Sequence, residues 1–143
     1  MTRKISALGI ALLATACATS AETSGHVAPP MVVVSEDDVM VREAPPHGAI
    51  GMSTAYRISD AAPQPRRMEF RRRVLDRGAA VGEHVISHDE VYYVTAGRAV
   101  VISDGVEAEL NEGMAAYLYE GAVVGIRQVG ETPVSVIIAY PVD

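Results

Sequence analysis

From Met31 onward the chain alternates in short steps, and nearly every step ends at a glycine, a proline or an acidic turn. Met31–Val34 is a β-branched run that stops at Ser35-Glu36-Asp37-Asp38, and Val39–Val41 reads as a second short strand. Ala44-Pro45-Pro46-His47-Gly48 is a loop by its prolines and glycine, and Gly51–Ile58 follows as a strand. After the proline-rich Ala61–Pro65, Met68–Leu75 reads as a strand with Phe70 and Val74 on one parity. Glu90–Thr95 and Ala99–Ser103 come next, and Asp104-Gly105 between apolar runs is a two-residue hairpin signal. Val106, Ala108 and Leu110 alternate with Glu107 and Glu109, so one face there is wet. Ala115–Tyr119, Ala122–Arg127 and Val134–Tyr140 complete the set. No segment of helical period and useful length occurs after residue 30, and there is no internal repeat. Many short strands with glycine turns between them predict an all-β barrel or sandwich.

The first thirty residues belong to a different regime. Arg3 and Lys4 precede an apolar run of twelve residues, Ile5–Ala16. That is too short to cross a bilayer as a helix and suits the hydrophobic part of a signal peptide. Ala14-Thr15-Ala16-Cys17 is similar to a bacterial lipobox, with Leu13 one place earlier than the usual apolar position. Cys17 is the one cysteine in the chain, so in an exported protein it has no disulfide partner. Residues 1–16 are therefore expected to be a lipoprotein-type signal peptide, with Cys17 acylated. The alternative is ordinary cleavage after Ala18 or Ala21, with Cys17 lost. Residues 17–30, small, polar and proline-ended, are expected to be a tether, with His26 inert in it. Residues 31–143 form the folded domain. Ala18, rather than Asp, after the cysteine resembles lipoproteins sorted to the outer membrane, facing the periplasm. The ordinary cleavage would leave a soluble periplasmic protein.

Removing the signal changes the charge. The chain carries 12 basic and 18 acidic residues. Loss of Arg3 and Lys4 leaves 10 against 18, or −8, and all remaining cations are arginine. An acidic domain argues against nucleic acid as partner. Arg66, Arg67, Arg71, Arg72 and Arg73 are a local exception. They read as a solvated strand edge, where charge discourages edge pairing. An anionic partner at this patch is the other reading.

Candidate chemistry is concentrated between Gly78 and Gly97, GAAVGEHVISHDEVYYVTAG. His84 follows Gly78 after five residues, Ile86 lies two on, Glu90 comes after three more, and Gly97 after a further six. This resembles the first motif of the cupin family, Gly-x5-His-x-His-x3-Glu-x6-Gly, with Ile86 in place of the second histidine. The second motif, Gly-x5-Pro-x-Gly-x2-His-x3-Asn, is matched in spacing by Gly113 and Gly121. Tyr119, Val124 and Gln128 stand at its other positions. The Pro46-His47-Gly48 stretch also resembles small bacterial cupins, in which the histidine most often makes a structural bond in its loop; a ligand role for His47 is the other reading. The resemblance covers most of residues 44–140. It implies an all-β, cupin-type double-stranded β-helix, a jelly-roll barrel, in a single domain.

In a typical cupin the positions matching 84, 86, 90 and 124 hold a divalent metal such as Fe, Mn, Zn or Ni. Here only His84 and Glu90 are donors; Ile86 and Val124 have no lone pair and favour a dry pocket. His88 shares strand parity with His84 and Glu90. His84, His88 and Glu90 could therefore form a two-histidine, one-carboxylate face. Without metal, His84 and Glu90 would satisfy one another by a buried hydrogen bond. Three functions follow. The first is a non-enzymatic domain binding a small molecule in a pocket that includes His84, Ile86, Glu90, Tyr92 and Val124. The second is a metal-dependent oxygenase, isomerase or lyase of a small acid or sugar, using His84, His88 and Glu90. The third is a self-associating envelope protein with no ligand. Loss of both motif histidines favours the first and third, with no cofactor, and the first is the reading carried forward. The resemblance also allows a homodimer through outer strands. The expected membrane contact is the lipid anchor alone.

Overall fold

A computed structural model describes residues 28–142, Ala49 excepted. The signal segment, Cys17, His26 and most of the tether lie outside the described residues. The chain divides after Pro30, and the unit Met31–Asp143 is considered by itself. Among the described residues no helix is long and apolar enough to cross a membrane.

The described residues of this domain form ten strands: β1 Met40–Glu43, β2 Ser53–Tyr56, β3 Met68–Leu75, β4 Ala80–Val85, β5 Glu90–Ala96, β6 Arg98–Ser103, β7 Val106–Asn111, β8 Ala115–Leu118, β9 Val123–Val129 and β10 Val134–Pro141. They form two sheets of antiparallel pairs. One has six strands in the order β1-β2-β3-β10-β5-β8, the other four in the order β4-β9-β6-β7. Neighbours far apart in sequence, such as β3 with β10 and β4 with β9, wind the chain into a jelly-roll barrel. The Asp104-Gly105 turn forms as its residues require. Both have positive φ, 49° and 77°, and Ser103 pairs with Val106 across it.

The core lies between the sheets. Leu75, Tyr92, Val94, Val134 and Val136 come from the six-stranded sheet; Val81, Ala99, Val101, Val124 and Ile126 come from the four-stranded one. Ile86, Leu110, Leu118 and Ala122 close the space between them. Each fully buried apolar side chain contributes about 1.5–3 kcal/mol relative to exposure, so this interior holds the two sheets together. Gly97 permits the close return of β10. It has φ +76°, and a Cβ there would stand 2.3 Å from the Pro133 carbonyl oxygen.

Several expectations are corrected. Met31–Val34 is not a strand: it pairs with nothing, and Met31 is 87 % exposed. β-branched composition favours a strand only where a neighbouring edge supplies hydrogen bonds. The strand β4, with its glycine and charged residues, carries little alternation and is missing from the pattern reading. Most of β7 is exposed, including Val106 and Ala108, because it is the outer strand of its sheet; only Leu110 is buried. β3 is no edge either, since it lies between β2 and β10. Its inward parity is Glu69, Arg71, Arg73 and Leu75, while Phe70 and Val74 share the opposite face.

Candidate functional site

A cavity of about 400 Å³ opens at one end of the barrel. Its wall is built from β1, β3, β4, β5 and β10 and from the Ala44–Gly48 loop. His47, His84, Glu90, Tyr92 and Tyr140 supply its polar and aromatic surface; Arg57, Arg71, Arg73 and Glu43 supply its other charges; Val81 and Ile138 supply apolar surface.

Local backbone explains why the loop reaches the cavity. His47 itself has φ +63°, an uncommon conformation for a residue with a side chain, and Gly48 continues it at +75°. The loop then crosses β4 at Gly82, whose N–H donates to the Pro46 carbonyl at 3.3 Å. A Cβ on Gly82 would sit 1.6 Å from the His47 carbonyl oxygen, so only glycine admits the crossing. At the same place the β4–β9 register shifts between Val81 and His84, a bulge that re-aims the histidine. The two imidazoles then lie face to face, 3.6 Å apart at 10°. His84 Nδ1 is 3.0 Å from the carbonyl of Gly82. Burial first, and His84 beside it, push the His47 imidazole below its ordinary pKa.

Charged groups on β3 are fixed in two networks. Arg73, 5 % exposed, donates to Ser53 Oγ at 2.6 Å and to Glu43 Oε1 at 2.9 Å. Arg57 Nη2 donates to the other Glu43 oxygen at 2.6 Å. Glu69, 2 % exposed, accepts from Arg71 Nε at 2.8 Å and from Arg66 Nη2 at 3.0 Å. Burial would raise the Glu69 pKa, but the Arg71 and Arg66 hydrogen bonds outweigh it and the net shift is downward. Glu43 is lowered in the same way, by Arg73 and Arg57 against its burial. Tyr92 shifts strongly upward through burial and then the neighbouring Glu90 charge, so its phenol stays protonated.

The residues expected at the site divide between two places. His84, Glu90 and Tyr92 line the cavity. Ile86 and Val124 do not: they are 2 % and 0 % exposed and belong to the core. Val124 is paired with His84 across the β4–β9 ladder, yet the outer histidine reaches the cavity and the valine is sealed beneath it. The hydrogen bond expected between His84 and Glu90 is replaced by one from His88, whose Nε2 is 3.0 Å from Glu90 Oε1. His88 also stacks on Tyr140, centroids 4.2 Å apart. Among the described residues no three His, Cys, Asp or Glu side chains gather as a metal-ligand set. With Ile86 and Val124 offering no donor, the side chains present do not fit the four-ligand cupin metal site. Gln128, at the second motif's asparagine position, holds backbone: its Oε1 accepts from Gly78 N–H at 2.7 Å and its Nε2 donates to the Gly130 and Thr132 carbonyls.

Sequence reasoning missed Glu43, Arg57 and Tyr140, and read Arg71 and Arg73 as part of a solvated strand edge, with an anionic partner as the alternative. A signal was present in β3, where Glu69, Arg71 and Arg73 share parity with Leu75. The apolar Phe70 and Val74 on the other parity concealed it.

A barrel of two antiparallel sheets with its cavity at one end defines this domain as a cupin-type jelly roll. Comparison with solved structures agrees. A predicted oxalate decarboxylase from Thermotoga maritima is similar over 78 % of this chain and 100 % of its own, with TM-score 0.69 and 22 % identity. The polyketide cyclase RemF from Streptomyces resistomycificus is similar over 80 % of this chain and 81 % of its own, with TM-score 0.66 and 18 % identity. A Cupin 2 conserved barrel domain protein from Salinispora arenicola is similar over 62 % and 74 %, with TM-score 0.54 and 23 % identity. Identities of this size speak for the fold. No protein-family profile matches the chain, and no curated protein matches it.

Proposed function

We propose that the domain is a non-enzymatic, small-molecule-binding cupin carried on an exported, membrane-tethered protein. The observation that supports binding is the cavity itself: about 400 Å³, within the range of roughly 300–1,000 Å³ common to ligand sites, with convergent polar groups on a partly apolar wall. The observation that speaks against metal catalysis is the burial of Ile86 and Val124 where two donors would be needed. Export and tethering rest on Arg3, Lys4, the apolar Ile5–Ala16 and Cys17.

Two of the similar structures are named for enzymes, a decarboxylase and a cyclase. For this chain the enzymatic reading would use His84, His88 and Glu90. The His88–Glu90 contact at 3.0 Å and the shared cavity position of His84 and Glu90 are in its favour. Metal analysis of purified protein separates the two. We expect well under one equivalent of divalent metal, together with thermal stabilisation by members of a small-molecule screen. One equivalent of metal, lost in His88→Ala, would replace the binding reading with the enzymatic one. For the tether, full-length protein should fractionate with membranes and be released by Cys17→Ser; wild-type protein soluble in the periplasm would remove the lipoprotein reading.

A further inference from the structure

The partners of the arginines on the cavity wall show which N–H donors are unused. Arg57, Arg71 and Arg73 line the cavity with Glu43 and Glu90, and behind them Glu69 is shared by Arg71 and Arg66. Arg73 uses both terminal nitrogens on Ser53 and Glu43. Arg57 takes the second Glu43 oxygen through Nη2 while its buried Nε has no partner, and Glu90 faces His88. Arg71 keeps both ends of its fork open. It is held to Glu69 through Nε alone, and among the described residues its two terminal nitrogens have no partner. Glu69 also anchors this guanidinium from behind, so the free pair of N–H donors is presented in a fixed orientation.

A guanidinium fixed in this way matches a carboxylate, which accepts two parallel N–H bonds. The Arg71 side chain is 30 % exposed, so its terminal N–H groups are open to a ligand that supplies acceptors in place of water. A single carboxylate suits this wall, because a second negative charge would stand beside Glu43 and Glu90. The rest of the wall, with Val81, Ile138 and the rings of Tyr92 and Tyr140, offers an apolar surface for the body of the ligand.

We propose that the ligand is a small monocarboxylic acid with an apolar body, its carboxylate seated on the terminal nitrogens of Arg71. This rests on the small-molecule reading above and narrows it to a chemical class. Tyr140 lies beside Arg71 and the cavity, and burial, the largest influence on it, keeps its phenol protonated as a further donor. Arg66 shares Glu69 with Arg71 but does not line the cavity, so it positions Arg71 rather than touching ligand.

The test is an NMR titration of the purified mature protein with benzoate, with benzamide as its neutral counterpart and inorganic phosphate as the other guanidinium-binding anion. Each is taken to tens of millimolar, following the arginine Nε–H and cavity backbone resonances. Benzoate should shift the Arg71 Nε–H signal and bind at least tenfold more tightly than benzamide. Arg71→Gln should lose at least tenfold of that affinity, while Arg67→Gln, outside the cavity, should keep it. If Arg71→Gln does not fold, Arg71→Lys decides, because it keeps the charge and removes the fork: undiminished benzoate affinity there overturns the proposal. Benzamide binding as tightly as benzoate, or phosphate binding more tightly, overturns the carboxylate assignment and leaves the small-molecule reading standing. No response of cavity resonances to any of the three sinks both.

Discussion

The barrel has a dry half and a charged half, and they meet within one strand. Toward the centre Ile86, Val124, Val94 and Leu75 pack in the apolar core. Toward the open end the neighbouring positions are His84, Glu90, Arg71 and Arg73. The spacing of the glycines resembles that of the cupin motifs, while the polar groups of the cavity come from β1, β3 and the Ala44–Gly48 loop as well as from His84 and Glu90. The backbone and the chemistry of a barrel are therefore separable: turns and ladder register hold the shape, while the polar centre is set by whichever strands close the mouth.

The strongest way to break this contrast is to put donors into the dry half. Ile86→His with Val124→His buries two imidazoles beside His84. Without metal the double variant should lose several kcal/mol, because each unsatisfied buried polar group costs about 1–3 kcal/mol on top of lost packing. Added Ni or Zn should bind near one equivalent and restore the melting temperature. A folded variant that ignores metal would mean these side chains do not converge.

Truncation gives the next largest effect. Ile86→Ala should cost about 2–5 kcal/mol, measured by denaturant unfolding, while ligand affinity at the mouth stays within a few-fold. A collapse of binding at intact fold would show that the two halves are coupled.

The charged half should reveal itself through pH. Folded Glu69 and Glu43 have pKa values below their unfolded ones, near 4.5. Their contribution is complete above that value and is lost as pH falls through the lower, folded values. Stability should therefore decline on acidification below about pH 4.5. Glu69→Gln should flatten that decline and lower stability at pH 7 by about 1–3 kcal/mol, because Arg71 and Arg66 lose a charged acceptor. A variant with the wild-type acid profile would remove the network from the stability account.

Gly82→Ala tests the joint between the two halves, at a cost similar to that of Glu69→Gln. Its methyl would meet the His47 carbonyl, so the loop must lift and the imidazole stack with His84 must open. Expected costs are about 1–3 kcal/mol in stability and a weaker hold on cavity ligands. Unchanged His47 and His84 ring chemical shifts would show that the loop accommodates the methyl.

Much of the fold was legible in the order of residues alone. Gly78, His84, Glu90, Gly97, Gly113 and Gly121 stand at intervals that resemble the cupin motifs, and that resemblance implied the barrel; Asp104-Gly105 fixed one hairpin register by its backbone preference. Local chemistry decided these features, since positive φ and period-two alternation act within a few residues. Which face of β3 turns inward was decided elsewhere. Phe70 and Val74 are the apolar parity, yet Glu69, Arg71 and Arg73 face the interior, because Glu43 and Ser53 from other strands supply the partners that a buried arginine requires. In the same way His47 is an ordinary loop histidine by sequence; it becomes part of the site only because Gly82, thirty-five positions on, lets the chain pass close enough to lay it against His84. Burial of charge depends on partners brought from distant strands, and that is a property of the closed barrel rather than of any one segment.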